Sequence, residues 1–158
     1  MLERSSLRVD IPKNIIKKAK IAIIKSEFNP SLTQNLENEC LAVLLANGIK
    51  RRQIFLYAVP GSLEIPLMAQ KIAKKRLADI IIALGVIIKG DTYHFELVAN
   101  ECARGCIAVS LKYNIPIIFE VLATYSLAQA KKRAIGSSNK GREAAISALK
   151  MLKAIESI

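Results

Sequence analysis

The sequence predicts one α/β domain: a three-layer α/β/α sandwich on a four-stranded parallel sheet. Three observations carry that prediction. The chain has 158 residues, a length suited to one domain with a proper core. Apolar residues make up 52% and charged residues 23%, a globular balance and not a disordered one. From Lys20 onward, strand and helix patterns alternate strictly, which implies a parallel sheet with right-handed crossovers.

Residues 1–19 read as an N-terminal arm, polar and basic and containing Pro12, ahead of a single domain over 20–158. Ile21 to Lys25 is a short apolar strand. Leu36, Cys40, Val43 and Leu44 recur at helical spacing, and Gly48 stops that helix. Gln53 to Val59 mixes β-branched, aromatic and aliphatic residues and reads as the second strand. Pro60-Gly61-Ser62 turns the chain, and Pro66 suits the first turn of a helix running to about Arg76. Ile80 to Ile88 is a continuous apolar run, the signature of a buried parallel strand. Glu96 to Tyr113 is the third helix, closed by Asn114 and Pro116, and Ile117 to Leu122 is the fourth strand. Ser126 and Gln129 form a capping-box pair for a fourth helix, which Gly136-Ser137-Ser138-Asn139 breaks. A fifth helix places Ile146, Leu149, Leu152 and Ile155 on one face. Four strands and five helices in this order suit a flavodoxin-like sandwich.

The one histidine, His94, stands just after the third strand. Asp91 and Thr92 are candidate N-caps, which puts His94 in the first turn of a helix at the carboxyl end of a central strand. Open α/β sheets bind ligands in that crevice, and a helix N-terminus attracts phosphate. Histidine exchanges protons near neutral pH. The turns beginning at Ser26, Val59, Lys89 and Glu120 all leave the same edge, which gathers His94, Phe28, Glu64 and Phe119.

Composition narrows the classes. No apolar stretch reaches the roughly 18 to 20 residues of a membrane span, and the start lacks the apolar segment of a secretory signal. A cytoplasmic location and reduced thiols are therefore expected for Cys40, Cys102 and Cys106. The net charge is +11, with basic clusters at Lys13 to Lys20, Lys50 to Arg52, Lys74 to Arg76 and Lys131 to Arg133. Most of these fall where a helix ends, where solvated lysines are common.

Individual motifs leave alternatives open. Gly85 to Thr92 is a near miss to a P-loop, with the lysine one place early. No G-x-G-x-x-G is present. Cys102 and Cys106 are four apart on a helix, a spacing that serves packing better than zinc where one histidine is available. Phe28 suits either a heterocycle or the core. Arg133 suits either a phosphate or solvent.

Together, five ordered segments resemble the lumazine synthase family. Ser26-Glu27-Phe28-Asn29 is similar to its R-F-N turn, and Val59-Pro60-Gly61-Ser62-Leu63-Glu64-Ile65-Pro66 to its V-P-G-[AS]-[FW]-E-[IL]-P segment. Ala83 to Phe95 resembles A-L-G-x-V-I-[RK]-G-x-T-x-H-[FY], and Pro116 to Phe119 and Asn139-Lys140-Gly141 follow in order. The resemblance spans roughly residues 20 to 155.

It implies a cofactor-free condensation of 5-amino-6-(D-ribitylamino)uracil with 3,4-dihydroxy-2-butanone 4-phosphate. By resemblance, His94 moves protons. Phe28, Ser62, Leu63, Glu64, Ile87, Ile88 and Phe119 bind the pyrimidine and ribityl chain. Gly90, Asp91, Thr92, Arg133 and Lys140 hold the phosphate. No metal is implied. The family's site lies between subunits of a pentamer, with Phe119 from the neighbour and an arm reaching the next subunit. A 60-chain shell and riboflavin synthase are the further partners it suggests, with no nucleic acid and no membrane. Three departures stand out: Leu63 where an aromatic is usual, Asp91 adding negative charge beside a phosphate, and a loop over 134–139 shorter by one, which bears on the shell. A helix pattern supports an interface independently: Val98, Cys102, Ile107 and Val109 spread too widely to face one sheet. The competing reading, a basic nucleic-acid-binding module, is weakened by an aromatic content of 5% with no Trp. A third, an inactive protein of the same fold, is opposed by His94 and Arg133.

Overall fold

A computed structural model describes residues 7–158. Its strands are β1 (Ile21–Ser26), β2 (Ile54–Val59), β3 (Ile80–Ile88) and β4 (Ile117–Thr124). Its helices are α1 (Lys13–Lys18), α2 (Pro30–Ala46), α3 (Ile65–Lys74), α4 (His94–Tyr113), α5 (Leu127–Ala134) and α6 (Lys140–Glu156). The four strands are all parallel, in the order β2-β1-β3-β4.

Alternating side chains send each strand into two cores. Ile21, Ile23, Ile80, Ile82 and Leu84 pack with Leu36, Leu44, Ala148 and Leu149 of α2 and α6. Ala22, Ile24, Ile81 and Ala83 pack with Ile65 and Ile72 of α3 and with Cys102, Cys106 and Val109 of α4. The doubly covered β3 is why its sequence is apolar without alternation. All three cysteines are buried thiols; burial pushes Cys40 well above the usual thiol range, and the hydrogen bond with Cys106, then burial, does the same for Cys102.

Local chemistry sets the helix ends. Asn29 takes a left-handed conformation (φ 55°) and Pro30 opens α2; Gly48 (φ 93°) turns the chain after it. The Ser126 hydroxyl accepts the Gln129 amide at 3.2 Å, as the capping pair predicts. Asn139 caps α6 by accepting the Gly141 amide at 2.8 Å. A side chain at Gly141 would run into the Leu36 carbonyl, so glycine lets α6 lie close against α2.

Four expectations change. There is one helix more than expected, α1, inside the segment read as an arm. Residues 1–6 of that segment lie outside the described residues; over 7–19 the chain lies on its own fold, with Ile11 and Ile15 in the core. Strand β4 runs to Thr124, because Ala123 and Thr124 pair with Ile87 and Ile88. The turn therefore leaves after Thr124 and not at Glu120, and Phe119 pairs with Ala83 in mid-sheet, away from the carboxyl edge. Helix α4 begins at His94, with neither Asp91 nor Thr92 as its N-cap residue.

On α4, Cys102 and Val109 are buried while Leu97, Ile107 and Leu111 are exposed. The helix thus carries a second, outward apolar face.

Candidate active site

A groove of about 560 Å³ opens at the carboxyl edge of the sheet. Three turns build it. The turn after β1 supplies Phe28 and Asn29; the turn after β2 supplies Pro60 to Glu64. The end of β3 and its turn supply Val86, Ile87, Ile88, Gly90, Thr92 and His94. Nine of the expected site residues thus meet in one cavity: Phe28, Ser62, Leu63, Glu64, Ile87, Ile88, Gly90, Thr92 and His94.

Phe28 is 71% exposed, which removes the core alternative and leaves its ring face free to stack. Its neighbour Asn29 fixes the turn, donating from Nδ2 to the Val86 carbonyl at 2.8 Å. Ser62 is buried under the groove. A Cβ on Gly85 would stand 2.7 Å from the Ser62 Oγ and 3.0 Å from the Ser26 Oγ, so glycine leaves room for both hydroxyls. Among the described residues the Ser26 hydroxyl has no protein partner.

His94 is exposed at the start of α4, and its amide donates to Thr92 Oγ1 at 3.4 Å. The amides of the first helical turn have no partner within their own helix, which suits an anion beside Gly90 and Thr92. Behind this turn, Lys89 pairs with Glu96 at 3.1 Å and stands 5.6 Å from the Tyr125 ring centroid. The Glu96 carboxyl is held below its usual range, first by its own backbone amide and then by Lys89. These contacts brace the turn that carries His94.

Four expected residues do not line the groove. Asp91 is exposed between two residues that do. Phe119 is in mid-strand on β4. Arg133 is exposed on α5, its Nη1 donating to the Gln129 carbonyl at 3.1 Å. Lys140 opens α6 and pairs with Glu143 at 2.6 Å. Phe119, Arg133 and Lys140 all belong to the β4–α5–α6 end of the chain, and none of them lines the groove. Burial pushes the Glu120 carboxyl up to about 7, with Lys140 opposing and Glu143 adding to the rise.

The groove also uses residues that sequence reasoning left out: Asn29, Pro60, Gly61, Val86, Phe95 and Val98. An Asn before Pro30, directly after a strand, was the available signal for the first. Among the described residues no cluster of metal-ligating side chains occurs, and no helix is long and apolar enough to cross a membrane.

The sequence profile of the 6,7-dimethyl-8-ribityllumazine synthase family matches residues 18–156. A protein of that name from Albidiferax ferrireducens is 44% identical over 142 residues, covering 90% of this chain and 88% of the relative. Another of the same name, from Kosmotoga olearia, is 44% identical over 133 residues, covering 84% and 85%.

Proposed function

The chain belongs to the 6,7-dimethyl-8-ribityllumazine synthase family, and from that premise we propose that the groove at the carboxyl edge is where its condensation takes place. The activity belongs to riboflavin biosynthesis. It joins 5-amino-6-(D-ribitylamino)uracil to 3,4-dihydroxy-2-butanone 4-phosphate, giving 6,7-dimethyl-8-ribityllumazine, phosphate and water.

The observation that carries the assignment is the meeting of Phe28, Ser62, Glu64, Thr92 and His94 around one cavity. Phe28 stacks on the pyrimidine, and Leu63, Ile87 and Ile88 give it apolar walls. Ser62 and Glu64 bind the ribityl hydroxyls and polar ring edge. The substrate amine attacks the ketone and an imine forms with loss of one water; phosphate then leaves, and the ring closes with loss of a second water. His94 takes and returns protons in these steps. The amides of Gly90, Asp91 and Thr92 receive the phosphate, so the Asp91 side chain matters less than its N–H.

A dianion needs a cation as well, and the groove of one copy offers none. Arg133, Lys140 and Phe119 come from a neighbouring copy, which closes the groove. The exposed face of α4, with Leu97, Ile107 and Leu111, is the surface through which copies meet. Resemblance to the family sets the number at five. The short loop, in which Gly136 takes φ 78°, bears on assembly into a shell of sixty and not on the pentamer. We place the protein in the cytoplasm, with riboflavin synthase as the partner that consumes its product.

The test combines lumazine fluorescence from the two substrates with native mass spectrometry. Product formation by a pentamer supports the proposal. A fully active monomer refutes the shared site.

A further inference from the structure

The net charge of +11 is not spread over the molecule. Strands begin, and helices α2, α3, α4 and α6 end, at the amino edge of the sheet, opposite the groove. The cations gather there. Lys13, Lys17, Lys18 and Lys20 lead into β1. Lys50, Arg51 and Arg52 lead into β2. Lys71, Lys74, Lys75 and Arg76 close α3, Lys112 closes α4, and Lys150 and Lys153 stand in the last two turns of α6. Arg8 joins them, because Leu7 and Val9 on either side of it bond to Asn47 at the end of α2. Against these fifteen cations the edge holds, among the described residues, three acids, Asp10, Asp79 and Glu156. Elsewhere among the described residues, eight cations face nine acids. The net positive charge of the described residues therefore belongs to one pole.

Among the described residues, little in the fold neutralises that pole. Among the described residues, Lys153 alone of these cations makes an ion pair, with Asp10 at 3.2 Å. Asp79 accepts the backbone amide of Lys20 at 2.8 Å. The four helix C-termini add about half a negative charge each, or about two in total, far short of the excess. The pole is also concave: a groove of about 680 Å³ lies between α1 and the ends of α3, α4 and α6, with Lys18 and Arg76 on its walls beside Asp79 and Glu156.

We propose that this basic pole binds single-stranded RNA through its phosphate backbone, without reading sequence. The cations stand at the ends of the elements that frame this groove, a relief that a flexible strand can follow and a flat bilayer cannot. Scarcity of aromatics argues against base stacking and leaves backbone neutralisation as the binding term. The pole lies at the opposite ends of the strands from the active-site groove, so the two functions are independent.

The test uses a fluorescein-labelled 20-nucleotide oligouridine and fluorescence anisotropy on the assembled protein. Neutralising about four phosphates predicts a fall in affinity of about fifty-fold between 50 and 200 mM salt. Lys74→Glu with Lys75→Glu should weaken binding more than about tenfold and flatten the salt slope, leaving lumazine formation unchanged. Lys74→Arg with Lys75→Arg should retain binding. Lys131→Glu with Lys132→Glu removes equal charge from the other edge and should change affinity less than about twofold. No binding at 50 mM salt, equal losses in both glutamate variants, or capture by phosphatidylserine vesicles without RNA binding would overturn the proposal.

Discussion

The Asn29 side chain holds the Val86 carbonyl at 2.8 Å, tying the turn after β1 to the end of β3 directly beneath the groove. Asn29 also occupies a left-handed conformation (φ 55°), which asparagine tolerates better than most residues. The bond fixes the backbone next to Phe28.

Replacing Asn29 with alanine removes both the hydrogen bond and the residue suited to that conformation. Stability should fall by about 1–2 kcal/mol. The Michaelis constant for the uracil should rise more than that for the phosphorylated substrate, since the proposed site has Phe28 stacking on the former. Thermal melts and steady-state kinetics check this; a destabilised variant with both constants unchanged would separate Asn29 from substrate binding.

His94→Ala should slow turnover by about one hundred-fold or somewhat less, the low end of general acid–base effects. Its side chain is exposed at the groove and braced only through the backbone, so the fold should survive. Unchanged turnover in the folded variant would remove His94 from the chemistry.

Arg133→Ala should raise the Michaelis constant for the phosphorylated substrate more than for the uracil. A guanidinium grips a phosphate in a fork, and the uracil carries no such group. Arg133→Lys should recover part of the loss. Equal effects on both substrates would sink the assignment.

Glu120 should leave a mark on the pH dependence of stability. Its carboxyl is raised from 4.5 to about 7, first by burial, with Glu143 adding and Lys140 opposing. Lys25, which pairs with Glu37 at 3.1 Å, stands on the same sheet face. A raised carboxyl means that the folded protein holds the extra proton, so this group's penalty is absent below about 4.5 and complete above about 7. Glu120→Gln should therefore melt higher than the parent at pH 8, with the gap closing toward pH 5. Parallel curves across that range would show that Glu120 ionises freely.

The strands and the groove were legible because their signals are local. Ile80 to Ile88 is apolar without a break, and the groove residues sit in contiguous turns at strand ends. The end of β4 was not legible, because its length follows its partner: Ala123 and Thr124 are drawn into the sheet by Ile87 and Ile88. The polar composition of 7–19 hid Ile11 and Ile15, spaced four apart and both in the core. Arg133 and Lys140 were expected at the groove, and their absence from its lining was not legible, because it depends on how the β4–α5–α6 end is placed. The basic pole needed the topology too, since only the sheet reveals that separate lysine clusters share one edge.

A mixture of two impaired variants tests the shared site most directly. Co-expressed in equal amounts, His94→Ala and Arg133→Ala chains should assemble at random, and about one site in four should then combine an intact His94 with an intact Arg133. Lumazine formation at low phosphorylated-substrate concentration should reach about a quarter of the parent rate, well above either variant alone. A rate no higher than the average of the two variants would show that each chain builds its active site by itself.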